Sequence, residues 1–132
     1  MQRILKLNQR KGQSLVETAL ILPIMILILM GIIDFGLMFN NYMIISNASR
    51  EGARGAAVGM TDALITSMVS DITSTLDQTK LVTKIDPYET PREKGTEVTV
   101  TVEYDYKLLT PIISAIIPNP MHIKGMTVMR IE

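Results

Sequence analysis

The chain has 132 residues, a length that suits one domain, and its 13 basic and 13 acidic residues give a formal net charge of zero. It has no cysteine and one histidine, His122, which excludes a disulfide framework, a thiolate metal site, a cysteine nucleophile and a lipid-modified cysteine, and leaves a histidine metal cluster or a Ser/His/Asp triad a single imidazole. The charge is uneven: Arg3, Lys6, Arg10 and Lys11 stand in the first twelve residues without an acid, and the remainder is acidic by four units, a poor match for nucleic acid.

The first long element is apolar. Residues 18–33 read TALILPIMILILMGII, without a charge, and apolar character resumes after Asp34 through Phe39. As a helix rising about 1.5 Å per residue, Leu15 to Phe39 spans a hydrocarbon core of about 30 Å. A cleaved secretory signal would need a small-residue site just after its apolar stretch, and IIDFGLMFNNY offers none. The segment therefore reads as a retained membrane helix. Pro23 falls early in the run, where neighbouring helices can satisfy the carbonyl it frees. Positive charge before the span, with none directly after it, predicts a cytoplasmic N-terminus and residues beyond about Asn40 outside the membrane.

Directly before the span stands RKGQSLVETALILP, in which Glu17 is the fifth residue after Gly12. This arrangement resembles the type IV prepilin signal, a short basic leader that ends in glycine. The resemblance implies cleavage after Gly12, with Gln13 as the new N-terminus. Thr18 departs from the common pilin pattern, which has an aromatic there. A carboxylate inside a membrane helix is costly, about 2.5 kcal/mol or more near the centre, and usually has a partner or sits near an interface. Glu17 lies about one helical turn from the new amine, so the two charges can pair within a subunit or between staggered neighbours and set axial register. Asp34, the second acid, is expected to mark the outer interface, with a buried charge that seeks a partner as the alternative.

Beyond the span, NNYMIISNASREGARGAAVG continues as helix to Gly59, with Tyr42 suited to the interface. Gly52, Ala53, Gly55, Ala56 and Ala57 allow another backbone to approach closely. The whole stretch from Gly12 to Gly59 resembles the N-terminal region of TadE-like proteins, minor pilins or pseudopilins of the tight-adherence (Flp) pilus system, in their short form. The resemblance rests on Gly12, Glu17, Pro23, Asp34, Gly36 and the block Ala48, Arg50, Glu51, Gly52, Ala53 and Arg54. It implies that this block packs against other subunits, and that the partners are a prepilin peptidase, other pilins, the inner-membrane platform and an assembly ATPase. By spacing alone, Arg50, Glu51 and Arg54 form a solvated helix face.

The remainder reads as a small α+β head. A second helix, capped by Thr61 or Asp62, carries an apolar face of Leu64, Ile65, Met68, Val69, Ile72 and Leu76. LVTKID, residues 81–86, reads as a short strand, followed by the polar loop PYETPREKG. From Thr96 to Tyr106, Val98, Val100, Val102, Tyr104 and Tyr106 alternate with polar residues, the pattern of a half-buried antiparallel strand. TPIISAIIP, residues 110–118, reads as a short apolar helix or buried loop whose apolar surface could face the core, the membrane or a partner, and MHIKGMTVMRIE as a last strand paired with the Val98 strand.

The expected organisation is a basic leader at 1–12, a long transmembrane and assembly helix at 13–59 and an extracytoplasmic head at 60–132, in a single-pass inner-membrane protein that can enter a surface pilus. There is no glycine-rich phosphate loop or nucleophile elbow, Glu103 and Asp105 suit the wet face of a strand, and no cofactor or enzymatic activity is expected. A membrane-anchored binding or accessory module outside any fibre is the alternative, and it leaves Gly12 and Glu17 unexplained.

Overall fold

The computed structural model describes residues 2–88 and 92–132, with side chains from Gly12 onward. The basic leader side chains of Arg3, Lys6, Arg10 and Lys11, and residues 89–91 of the polar loop, lie outside the described residues. Helix α1 runs Gln2–Ala57, 56 residues, and passes through Pro23 without ending. Helix α2 (Asp62–Ile72) follows, then strands β1 (Leu81–Asp86) and β2 (Glu97–Tyr106), the one-turn helix α3 (Pro111–Ser114) and strand β3 (Met121–Arg130). The architecture is α+β, a long apolar helix followed by a second helix and a three-stranded antiparallel sheet in a pilin-like layout.

Helix α1 stops two residues before Gly59, and the stop is built from backbone geometry. Gly59 adopts φ +85°, a left-handed conformation that costs glycine little. Its amide donates to the Ala56 carbonyl, and the Met60 amide donates to that of Gly55, the paired bonds of a Schellman stop. The Met60 sulfur packs over Gly55, where an added Cβ would meet it at 2.8 Å. The turn thereby satisfies the last carbonyls of α1 and sends the chain into α2.

Only part of the apolar face expected for α2 is used. Ile65 and Val69 are fully buried, Leu64 is exposed, and Leu76 is buried from beyond the helix end. Thr61 occupies the N-cap position without a side-chain bond. The neighbouring Asp62 is instead buried against the Arg92 guanidinium, which also donates to the Met60 carbonyl at 3.0 Å.

The sheet has the order β1-β2-β3, with β2 central. Its side-chain period of two sends Val98, Val100, Val102, Tyr104 and Tyr106 to one face, and all five are buried. Directly opposite on β3 stand Met129, Thr127, Gly125, Ile123 and Met121. Glu103, Asp105, His122 and Lys124 occupy the other face, where His122 pairs with Asp105, and Lys84 donates to Glu103 at 2.8 Å. That salt bridge and its hydrogen bond hold the Glu103 carboxyl below its ordinary value.

The inner face of the sheet closes on α1. Along the helix, Gly31, Asp34, Met38, Asn41, Ile45, Ala48 and Gly52 recur at three- and four-residue steps and are buried or half-buried. Gly52 lies against Val100 and Val69, where a Cβ would come within 3.0 and 3.3 Å of their methyl groups. At Gly125 the helix backbone itself fills the space, and a Cβ would meet the Ile45 carbonyl oxygen at 2.8 Å. Ser49 adds a buried polar tie through Thr127 Oγ1 at 2.9 Å, and the Glu132 amide donates to the Ala57 carbonyl at 3.1 Å.

Because backbone cannot retreat as a side chain does, Gly125→Val should cost about 1–3 kcal/mol through overpacking. Gly36→Ala, with nothing within 4 Å of the new Cβ, should stay within about 0.5 kcal/mol of the parent. Thermal unfolding of the full chain in detergent compares the two; equal midpoints would show that the helix and sheet do not meet at Gly125.

Candidate membrane and assembly site

Every residue from Gly12 through Met30 is exposed. That is a bare rod of about 28 Å at the rise of an α-helix, apolar throughout from Ala19 onward. Large side chains along it, including Leu20, Ile24, Met25 and Ile28, remain more than half exposed. The described part of the helix from Gly12 to Ala57 is, by length and composition, long and apolar enough to cross a membrane. The head covers the helix only from Gly31 onward.

Glu17 sits at the start of the rod, exposed, and accepts a hydrogen bond from the Gln13 side-chain amide at 3.2 Å. Gly12 has open space where a side chain would be. The structure thus brings Gln13 and Glu17 together, one turn apart, at the end of the bare segment. Pro23 and Gly36 are exposed further along, and Gly36 meets no atom of the head.

Asp34 follows the alternative expectation, a buried charge with partners, rather than that of an interfacial marker. It is 2% exposed, turned inward beneath the head. Its Oδ1 accepts from the Leu109 amide and its Oδ2 from the Thr110 amide, both at 3.0 Å. The Thr110 hydroxyl also serves the carboxylate, and the Tyr106 hydroxyl donates to Oδ1 at 3.5 Å. Burial, with Asp34 alongside, holds the Tyr106 phenol above its ordinary value. A carboxylate that accepts several donors in a dry setting satisfies the rule that buried charge must be bonded. Nothing in the spacing pointed to residues 106–110, which are more than seventy positions away.

The family block divides between two environments. Ala48, Gly52 and Ala53 are buried against the head of the same chain, so their small size already serves an intramolecular contact. Arg50 and Arg54 are exposed, and Glu51 lies 4.0 Å from Arg54 as a surface pair, a type worth little to stability. Among the described residues, no group of three or more His, Asp or Glu side chains is placed to hold a metal ion.

Among the described residues, one helix has membrane-crossing length and apolarity; bare at its first end and packed on an α+β head at its other end, it has a pilin-like layout that fits a single-pass membrane protein. Residues 12–54 match the family model described as TadE-like protein, a pilus-associated family. The match begins at the glycine before the rod and ends within α1, so it covers the helix and leaves the head outside. No curated protein matches the chain, and no solved structure does.

Replacing Asp34 by Ala would leave the Leu109 and Thr110 amides without their acceptor, at about 1–3 kcal/mol for each buried group. Amide hydrogen exchange at Leu109 and Thr110 should accelerate in Asp34→Ala while the central β2 amides stay protected. Equal protection in parent and variant would show that the carboxylate does not hold this segment.

Proposed function

We propose that the chain is a minor pilin or pseudopilin of a tight-adherence (Flp) pilus, cut after Gly12 by a prepilin peptidase and taking part in pilus assembly and surface adherence. The observation that carries this reading is the bare apolar rod with Glu17 one turn inside its first end and a compact head at its other end. A helix serving only its own head would be covered along its length. This one presents a bare rod of about 28 Å, apolar throughout from Ala19 onward, to a bilayer or to the equivalent helices of other subunits.

In this reading, residues 1–12 form the leader and stay on the cytoplasmic side, and the head lies outside. Cleavage leaves the Gln13 amine near Glu17, and the pair sets the axial position of the subunit against its neighbours, because apolar helix contacts alone slide with little penalty. Arg50 and Arg54, which the head leaves exposed, and the half-buried Glu51 beside them are available to other pilins. The platform proteins and the assembly ATPase are the remaining partners that the family resemblance supports.

Co-expression with a prepilin peptidase should yield a mature chain that begins at Gln13, read by N-terminal sequencing or intact mass. An unshortened chain, with a known prepilin cut in the same cells, would sink the processing step. Glu17→Ala should insert in the membrane as the parent does yet lower piliation about tenfold or more, the scale of a lost register-setting charge pair. Unchanged piliation would reduce Glu17 to an ordinary interfacial acid.

A further inference from the structure

The connection between β2 and β3 contains an uncharged stretch, residues 108–121, between Lys107 and His122. Leu108 is buried and Ile113 packs on the core, but three other large apolar side chains stand out in solvent: Leu109 is 68% exposed, Ile112 57% and Ile116 81%. Exposed isoleucines on a connecting loop are expensive in water, and a contiguous group of them marks a contact surface. The position of the loop along α1 says which contact.

Two observations fix that position. The Leu109 and Thr110 amides bond Asp34, so the loop begins at the level of Asp34. Ile113 then lies against Gly31, its Cδ1 3.3 Å from where a glycine Cβ would be. From Thr110 to Ile113 the chain therefore descends one turn along α1, toward the bare rod. Gly31 belongs to the uncharged run 18–33. That run covers only about 24 Å, and a hydrocarbon core of about 30 Å counted from Thr18 extends to about Leu37, beyond the level at which α3 sits.

The loop's backbone suits an apolar setting. Non-helical backbone at membrane depth is tolerated only where its polar groups find protein partners. Asp34 takes the Leu109 and Thr110 amides, the Asn119 side-chain oxygen takes the Leu108 amide, and the Ile113 carbonyl takes those of Ile116 and Ile117. Pro111, Pro118 and Pro120 have no amide hydrogen to satisfy. The Ser114 hydroxyl folds back onto the Pro111 carbonyl at 2.8 Å.

We infer that residues 109–117 form a second membrane contact, a foot by which the head rests in the leaflet on its own side, with Leu109, Ile112 and Ile116 facing lipid acyl chains. The inference rests on α1 spanning the membrane and does not require the chain to enter a fibre. The foot's apolar surface continues that of α1, where Ile32 and Phe35 are also exposed, so one lipid boundary covers both. Asp34 holds the foot against the span, which fixes the height and tilt of the head above the bilayer.

The chain lacks cysteine, so single reporters can be placed cleanly. Ile28→Cys on the rod, Ile116→Cys on the foot and Val128→Cys on the outer sheet face would each carry an environment-sensitive fluorophore in the full chain, reconstituted in phosphatidylcholine vesicles. Phosphatidylcholine with a nitroxide on its acyl chain serves as quencher. The expected result is strong quenching at Ile28 and quenching at Ile116 roughly twofold or more above that at Val128. Quenching at Ile28 with Ile116 no stronger than Val128 overturns the foot and leaves the span standing. Quenching at neither Ile28 nor Ile116 overturns the span, and the foot with it. Burial of Ile116 that requires a high ratio of protein to lipid, with no lipid quenching at low ratio, assigns the surface to a second copy and likewise overturns the inference.

Discussion

The close approach of α1 to the sheet is the contact on which the other features depend. A three-stranded sheet with five buried residues on one face of its central strand needs a cover, and α2 alone, with Ile65 and Val69 as its fully buried side chains, is too short to provide it. Helix α1 completes the core, and it reaches the sheet because Gly52 lets Val100 approach and Gly125 stands opposite the Ile45 backbone. Each buried valine contributes about 1.5–3 kcal/mol by leaving water. The head is therefore not an independent body on a tether: its core includes the far half of the helix that carries the apolar rod.

This sharing couples membrane and head. A helix that must be apolar all round where it meets lipid, and lined with small residues where it meets a sheet, changes character near Gly31, and the change is abrupt. Below that point every described side chain is exposed; above it a stripe at three- and four-residue steps is covered. Asp34 stands at this boundary. Its carboxylate accepts backbone amides from the β2–β3 connection, so the attachment of head to span has a polar bond of defined geometry as well as apolar packing.

The same organisation explains why glycine and alanine in the family block do not by themselves identify a subunit interface. Gly52 meets Val100 and Val69 of its own chain, and Ala48 and Ala53 are fully buried there. Surfaces open to other molecules include the rod, the charged side chains of Arg50 and Arg54, and the isoleucines of the β2–β3 connection. These differ in chemistry, so lipid, neighbouring helices and polar partners can be met by different parts of one small chain.

Much of the architecture was legible in the sequence because it follows from local periodicity. The uncharged run 18–33 marks the long apolar helix, the strict alternation from Val98 to Tyr106 marks the central strand, and LVTKID coincides with β1. Gly12, Glu17, Pro23, Asp34, Gly36 and the block from Ala48 to Arg54 suggested the family whose model matches residues 12–54. What local pattern could not reach was any relation between distant segments. That Asp34 is an internal acceptor, that Leu64 is exposed while Leu76 reaches the core from beyond its helix, and that 110–118 lies along α1 rather than buried in the head all depend on which surfaces meet. Periodicity reports how a segment divides its own faces between water and apolar surroundings. Only the packed chain decides whether an apolar face meets its own core, a neighbour or lipid, because that choice is made by the segments brought against it.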